Sequence, residues 1–347
     1  MAKVLFLTPW YPSEKDAMSG LFVQKHVEAV RAQGVDARVI FSQNWRDTWR
    51  QWKALQREGW IPDVVQLNVI QKQGLLALWL KKRYGIPYVI IEHWTGYLPE
   101  NMSVKSHGWH TRFMKRICRE AEVVMPVSEQ LMHAMQALGF SAKRWEKAYN
   151  VVDDFFYEDS KIRKSDESKT LLNITCFDEL HKNVKGLLRA AKSLSEKRRD
   201  WKLVIVGTGV DFDEVYHYAE SLHLPEGLLH WTGELTPRQV AEEFDKADVF
   251  VLSSRFENAP VVISESLAKG VPVISTRVGG IPEMVNGQCG VLVTPGDEDE
   301  LEQAMNRMLD HYADYDHRTI RQAGQPYAAA AVGTALKTIY ETVTKRS

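Results

Sequence analysis

The chain has 347 residues, 44% of them hydrophobic and 26% charged, with a formal net charge of −1. That length suits two domains of ordinary size, and that apolar share supplies two cores and excludes intrinsic disorder. Its three cysteines, Cys118, Cys176 and Cys289, form no C-x-x-C pair, which argues against zinc and thiol-redox motifs and fits a reducing compartment.

From the amino end, Val4–Thr8 reads as a buried strand, followed by a Pro-, Ser- and Gly-rich loop from Pro9 to Gly20. Ser19 is expected to cap the next helix, which runs to about Gln33 and stops at Gly34. Strands are expected at Ala37–Phe41, Asp63–Leu67, Tyr88–Glu92 and Val123–Val127, with helices over Lys72–Tyr84 and Glu129–Leu138. A charged, unpatterned stretch, Glu158–Lys169, reads as an interdomain linker. The pattern then restarts with strands at Leu171–Cys176, Lys202–Val206, Leu228–Thr232, Asp248–Leu252, Val271–Ser275 and Gly290–Val293. Tyr327–Val343 reads as a closing helix. Alternating strands and helices signal parallel sheets covered on both faces. The expected class is α/β, with two Rossmann-like doubly wound domains, 1–165 and 166–326.

The first apolar run is too short for a signal peptide, and Leu75–Leu80 and Tyr88–Ile91 are too short to span a bilayer. The expected location is the cytoplasm, with peripheral contact at the inner face of the membrane as an option. Residues 1–165 hold 24 Lys or Arg against 17 Asp or Glu, and the remainder holds 20 against 28. A basic first half suits an anionic acceptor or membrane surface, or reflects chance variation between domains. Nine of the eleven Trp lie before the linker, and Trp45, Trp49 and Trp52 share a face if helical. Core packing, sugar stacking and a membrane interface remain open for these rings. The stretch Lys105–Arg119 mixes basic residues with Trp109 and Phe113. It reads equally as an acceptor dock or a solvated helix, and no nucleic-acid motif accompanies it.

The densest chemistry lies in the run from Arg255 to Glu265. Glu257 stands in the loop after the strand that ends at Leu252, and Glu265 lies about a turn and a half into a helix opened by Pro260 and closed by Gly270. Loops at the carboxyl ends of parallel strands bind ligands, and the helix start suits a phosphate. A carboxylate accepting two hydrogen bonds matches a vicinal diol.

This run resembles the E-x7-E motif of the retaining glycosyltransferases of family 4, which have the GT-B fold. The resemblance implies two domains facing a cleft, with residues 327–347 crossing back onto the first. It also implies sugar transfer from a nucleoside diphosphate sugar, UDP- or GDP-linked, to an acceptor hydroxyl with retention at the anomeric carbon. Polysaccharide, lipopolysaccharide or glycolipid assembly is the implied setting. Glu257 would lie against the donor sugar and Glu265 on the ribose hydroxyls. Arg255, Asn258, Ala259, Pro260 and Val261 would line the diphosphate. Lys182, in His181-Lys182-Asn183, would neutralise that diphosphate, and His93, after Tyr88–Glu92, would face the sugar. Gly20 and the pair Gly207 and Gly209 would let backbone approach the donor. Neither metal nor cofactor is implied, and no acidic D-x-D cluster appears near a candidate sugar site. Gly279-Gly280-Ile281-Pro282-Glu283 resembles the family's G-G-x-P-E segment and would shape the donor pocket from behind. Asn150-Val151-Val152-Asp153 resembles its N-G-V-D turn. One departure is clear: many members carry Arg five residues before the lysine, where this chain has Phe177. Arg255, Lys185 or His181 would then supply the second cation. The rival readings are a nucleotide-sugar epimerase on the same fold and a non-catalytic nucleotide-sugar-binding partner.

Overall fold

The computed structural model describes residues 2–14, 19–99, 101, 103–104, 108–159 and 168–345. Lys105 and most of the expected linker therefore lie outside the described residues. The first elements are β1 (Lys3–Thr8), α1 (Leu21–Ala32), β2 (Asp36–Phe41), α2 (Trp45–Arg57), β3 (Val64–Asn68), α3 (Gly74–Tyr84), β4 (Tyr88–Glu92), α4 (Trp109–Glu120), β5 (Val123–Pro126) and α5 (Glu129–Ala137). A second series follows: β6 (Lys169–Ile174), α6 (Glu179–Lys182), α7 (Val184–Lys197), β7 (Trp201–Val206), α8 (Phe212–Ser221), β8 (Leu229–Gly233), α9 (Pro237–Lys246) and β9 (Val249–Leu252). It continues with α10 (Val261–Lys269), β10 (Val273–Thr276), α11 (Ile281–Met284), β11 (Gly290–Val293), α12 (Glu298–His311) and α13 (His317–Gly324), and α14 (Ala329–Thr344) is the last described helix. None of the described helices is long and apolar enough to cross a membrane.

The chain separates into two compact units, Met1–Val151 with Pro326–Ser347, and Val152–Gln325. The division falls inside the Asn150–Asp153 turn. In the first unit all strands are parallel, in the order β2-β1-β3-β4-β5. β3 and β4 are buried along their whole length, which explains their near-continuous apolar sequences. Helix α14 completes this unit. Its Gly333 lies where a Cβ would strike the Ala29 carbonyl, Lys337 donates to the Gln33 carbonyl, and the Tyr340 hydroxyl donates to Gln66 inside the core. Helix α1 starts differently from expectation. Its N-cap is Gly20 in a left-handed conformation with no side-chain cap, so Ser19 does not hold that position. Gly is required because a Cβ at residue 20 would sit 2.3 Å from the Trp10 carbonyl.

The second unit holds a six-stranded parallel sheet in the order β11-β10-β9-β6-β7-β8. Chain order reverses between β6 and β9, making a topological switch point. In open α/β sheets a crevice forms there, outside the carboxyl ends of the strands. Helices α7 and α12 cover this sheet through Leu187, Leu188, Leu194, Met305 and Leu309, all buried.

Candidate active site

Two loops flank the crevice of the second unit. One leaves β6 and runs into the short helix α6, which ends at Lys182; the other leaves β9 and carries Glu257. Lys182 Nζ donates to Glu257 Oε1 at 2.6 Å, with the two side chains 19% and 9% exposed. The Ser254 hydroxyl donates to the same oxygen at 2.8 Å. Burial alone would lower the Lys182 pKa, but the Glu257 carboxylate outweighs it and the ammonium is held above its ordinary range. The cation is therefore fixed, charged and screened from bulk water.

Backbone contacts lock these loops together. Arg255 N–H donates to the His181 carbonyl at 2.7 Å, and Ser253 Oγ donates to the carbonyls of Lys182 and Asn183 at 3.1 Å each. Asn183, left-handed at φ 52°, ends α6 and starts α7. From the other side, Gly280 N–H donates to the Asn258 carbonyl at 2.7 Å. A Cβ on Gly279, whose φ is +54°, would fall 1.8 Å from the Glu257 carbonyl. The Gly-Gly pair thus braces the backbone that presents Glu257.

Pro260 stands at the N-cap of α10, one position before the expected first turn, and Gly270 closes the helix at φ 73° as expected. The first turn of α10 follows directly on Asn258 and Ala259, and its Ile263 N–H donates to the Pro260 carbonyl at 3.2 Å. Asn258 and Glu265 are buried, and Val261 is half-buried. The helix start offers an anion the positive end of its dipole, a turn and a half before the Glu265 carboxylate.

Gly207 and Gly209 are explained by protein packing. At φ +126°, a Cβ on Gly207 would lie 1.9 Å from the Thr175 carbonyl, and one on Gly209 would lie 2.5 Å from Phe177 N. Phe177 N–H donates to the Thr208 carbonyl, and Asp211 N–H to the Phe177 carbonyl. The glycines let the β7 loop lie against the β6 loop. Phe177 itself is buried against Phe212 and Trp231. An arginine at that point would enter an aromatic core. Of the three cations expected to compensate, Lys185 pairs with Glu214, and His181 Nδ1 lies 2.7 Å from Asp178 Oδ2. Arg255 instead donates to the neutral carbonyl of Glu179 at 3.1 Å. Its charge meets no carboxylate in that bond.

The first unit has its own buried polar centre at the carboxyl ends of β3 and β4. The Glu92 carboxylate accepts from Ile70 N–H at 2.9 Å, His93 N–H and Trp94 N–H at 3.0 Å, and the Tyr97 hydroxyl at 3.1 Å. Burial pushes its pKa up to about 7 against those four donors, which favour the anion. Its bonds fix the turn after β3, where buried Val69 takes φ 66°, and the turn that carries His93. The His93 ring packs 4.2 Å from Phe22 and 5.8 Å from His26. Burial holds both imidazoles below their ordinary pKa, so both are neutral. His26 Nε2 lies 2.9 Å from the Tyr149 carbonyl. Sequence reasoning missed Glu92, Ser254 and His26 as parts of these arrangements. For Glu92 the available signal was a charge ending an otherwise apolar buried strand.

Two family models match in tandem: glycosyl transferase 4-like domain over residues 3–150, and glycosyl transferases group 1 over residues 156–325. Among similar proteins, N-acetyl-alpha-D-glucosaminyl L-malate synthase of Bacillus anthracis is 30% identical over 64% of this chain and 60% of its own length. The putative teichuronic acid biosynthesis glycosyltransferase TuaC of Bacillus subtilis is 24% identical over 99% of this chain and all of its own length. Among solved structures, the sucrose-phosphate synthase of Thermosynechococcus elongatus has a TM-score of 0.82 at 17% identity, over the whole of both chains. Anabaena Alr3699/HepE in complex with UDP-glucose has a TM-score of 0.76 at 17% identity, over 99% of this chain and all of that one. These similarities establish the GT-B fold. With one model on each half, the chain belongs to the glycosyl transferases of group 1.

Proposed function

We propose that this protein transfers a sugar from a nucleoside diphosphate sugar to an acceptor hydroxyl, with retention at the anomeric carbon. The observation that carries the reading is the screened Lys182–Glu257 pair at the switch point, beside the start of α10. A departing nucleoside diphosphate gains charge as the glycosidic bond breaks. Preorganised cations and N–H donors stabilise that charge far better than water would. Lys182, Arg255 and the N–H groups of the first turn of α10 supply this, with Asn258, Ala259, Pro260 and Val261 shaping the approach. Glu265 holds the ribose hydroxyls, as a two-acceptor carboxylate suits a diol. Glu257 orients the donor sugar, and neutral His93 has the donor and acceptor capacity for a sugar hydroxyl.

The chemistry follows the resemblance. The bond from the anomeric carbon to the diphosphate oxygen breaks, and a bond to the acceptor oxygen forms on the same face. The acceptor proton passes to the leaving phosphate oxygen. Charge neutralisation by these side chains and dipoles makes the reaction independent of a divalent cation. The UDP-glucose complex of HepE supports a UDP-linked donor. Relatives named for teichuronic acid and colanic acid biosynthesis support an acceptor in surface polysaccharide or glycolipid assembly.

The test is thermal stabilisation by UDP-, GDP- and ADP-sugars, followed by turnover of the stabilising donor. The product's anomeric configuration is then read by NMR. Stabilisation by no nucleotide, or an inverted product, overturns the proposal.

A further inference from the structure

The first unit carries a chain of aromatic rings on its surface that the proposed reaction does not use. Trp45, Trp49, Trp79 and Tyr84 follow one another along α2 and α3, with ring centroids 5.7, 4.8 and 5.3 Å apart. Trp45 is 37% exposed, Tyr84 46%, and Leu75, one turn before Trp79, 39%. The expected tryptophan face of α2 thus divides: Trp52 enters the core, while Trp45 opens outward and Trp49 is half-buried.

Positive charge runs beside these rings. Arg46, Arg50, Lys53 and Arg57 recur at helical spacing one residue along from Trp45 and Trp49, and all four are exposed. On α3, Lys82 and Arg83 are exposed between Trp79 and Tyr84, and Arg83 lies 5.4 Å from the Tyr84 ring centre. Asp47 is the single acidic residue within the two helices, and it pairs with Arg50.

We propose that this face of α2 and α3 docks on an anionic lipid bilayer. Indole and phenol rings settle at the headgroup boundary, and flanking Lys and Arg meet anionic headgroups. A glycan fits less well. Stacking on sugars asks for rings that present a common plane, whereas successive rings here turn by 31°, 76° and 80°. A second copy meeting the same face about a two-fold axis would oppose like charges. The bilayer alone matches both the zigzag aromatics and the charge.

The experiment is co-sedimentation of the full chain with phosphatidylcholine vesicles, with and without phosphatidylglycerol, at low and high salt. It reads no sugar transfer, so its outcome is separate from that of the proposed activity. Binding to the anionic vesicles alone, released by salt, with a blue shift of tryptophan emission, is the expected result. Lys53→Gln with Lys82→Gln should weaken binding roughly 25-fold, at about fivefold per charge. Trp45→Ser with Tyr84→Ser should leave weak, salt-sensitive binding without the blue shift. Failure of the unaltered protein to bind anionic vesicles overturns the proposal. So does binding unchanged in both folded variants, quenching by soluble oligosaccharide in place of vesicle binding, or a dimer that Trp45→Ser dissociates.

Discussion

Replacing Lys182 by Met tests the central ion pair. The substitution removes the ammonium and leaves the Glu257 carboxylate, 9% exposed, with the Ser254 hydroxyl. Breaking a fully buried pair from one side costs about 3–5 kcal/mol. Lys182 is 19% exposed, so solvent relieves part of this and about 2 kcal/mol is expected. Glu257→Gln keeps the hydroxyl bond and a carbonyl facing the ammonium, and should cost about 1–2 kcal/mol. The double variant leaves neither charge stranded. It should cost less than the two singles combined by about 1–2 kcal/mol, the coupling energy of the contact. Denaturant melting of a two-unit chain need not be two-state. Hydrogen exchange at the amides of β9 and α10 reads opening of the second unit directly. Single costs that add to within about 0.3–0.5 kcal/mol would refute the reasoning, since a 2.6 Å contact with no coupling holds nothing in place. In donor turnover, Lys182→Met should chiefly slow transfer, by roughly 100-fold or more.

Glu92 makes stability depend on pH. Its folded pKa is about 7 against an ordinary 4.5, so its contribution is complete below pH 4.5 and is lost as pH rises through 7. The loss should approach about 3 kcal/mol relative to Glu92→Gln, at about 1.4 kcal/mol for each tenfold change in proton concentration. The difference in opening free energy between the two proteins, read by hydrogen exchange at the amides of β3 and β4, should change by that amount over the window, and parallel curves would exclude the account. Gly279→Ala must push the Glu257 carbonyl aside and adopt a positive φ, costing roughly 1–2 kcal/mol from conformation alone. It should lower both the melting temperature and the rate of transfer. Glu265→Ala should weaken nucleotide binding by about tenfold or more in calorimetry, as expected for lost bonds to a charged group. Full turnover should persist in EDTA, and loss of turnover restored by a divalent ion would contradict the proposed charge neutralisation.

The sheets were legible because parallel strands buried on both faces are written as short apolar runs. β4 and β11 have the expected bounds, and most other strands shift by one or two residues. Gly270 was legible as a helix stop because left-handed backbone selects glycine. What escaped were contacts between distant residues. Lys182 and Glu257 are 75 positions apart, and nothing local to either announces the other. Gly207 and Gly209 read as ligand-approach glycines, and the same permissiveness also lets two loops lie against each other, a contact that nothing local announced. Ser19 has the chemistry of a cap, yet the close approach of Trp10 demands glycine at the next position, and that steric need sets the helix start. Phe177 read as a missing cation, whereas its neighbours Phe212 and Trp231 make it part of a core.

Helix α14 places the first unit under a timing constraint. That unit is assembled from Met1–Val151 and Pro326–Ser347, with Tyr340 reaching the buried Gln66. On the ribosome its five strands emerge early, but the segment that seals them follows only after the second unit. The intervening unit is contiguous and can mature while its predecessor still waits for a wall. The nascent chain must therefore shield that open flank throughout the synthesis of the second unit, a task that falls to chaperones or to transient local collapse.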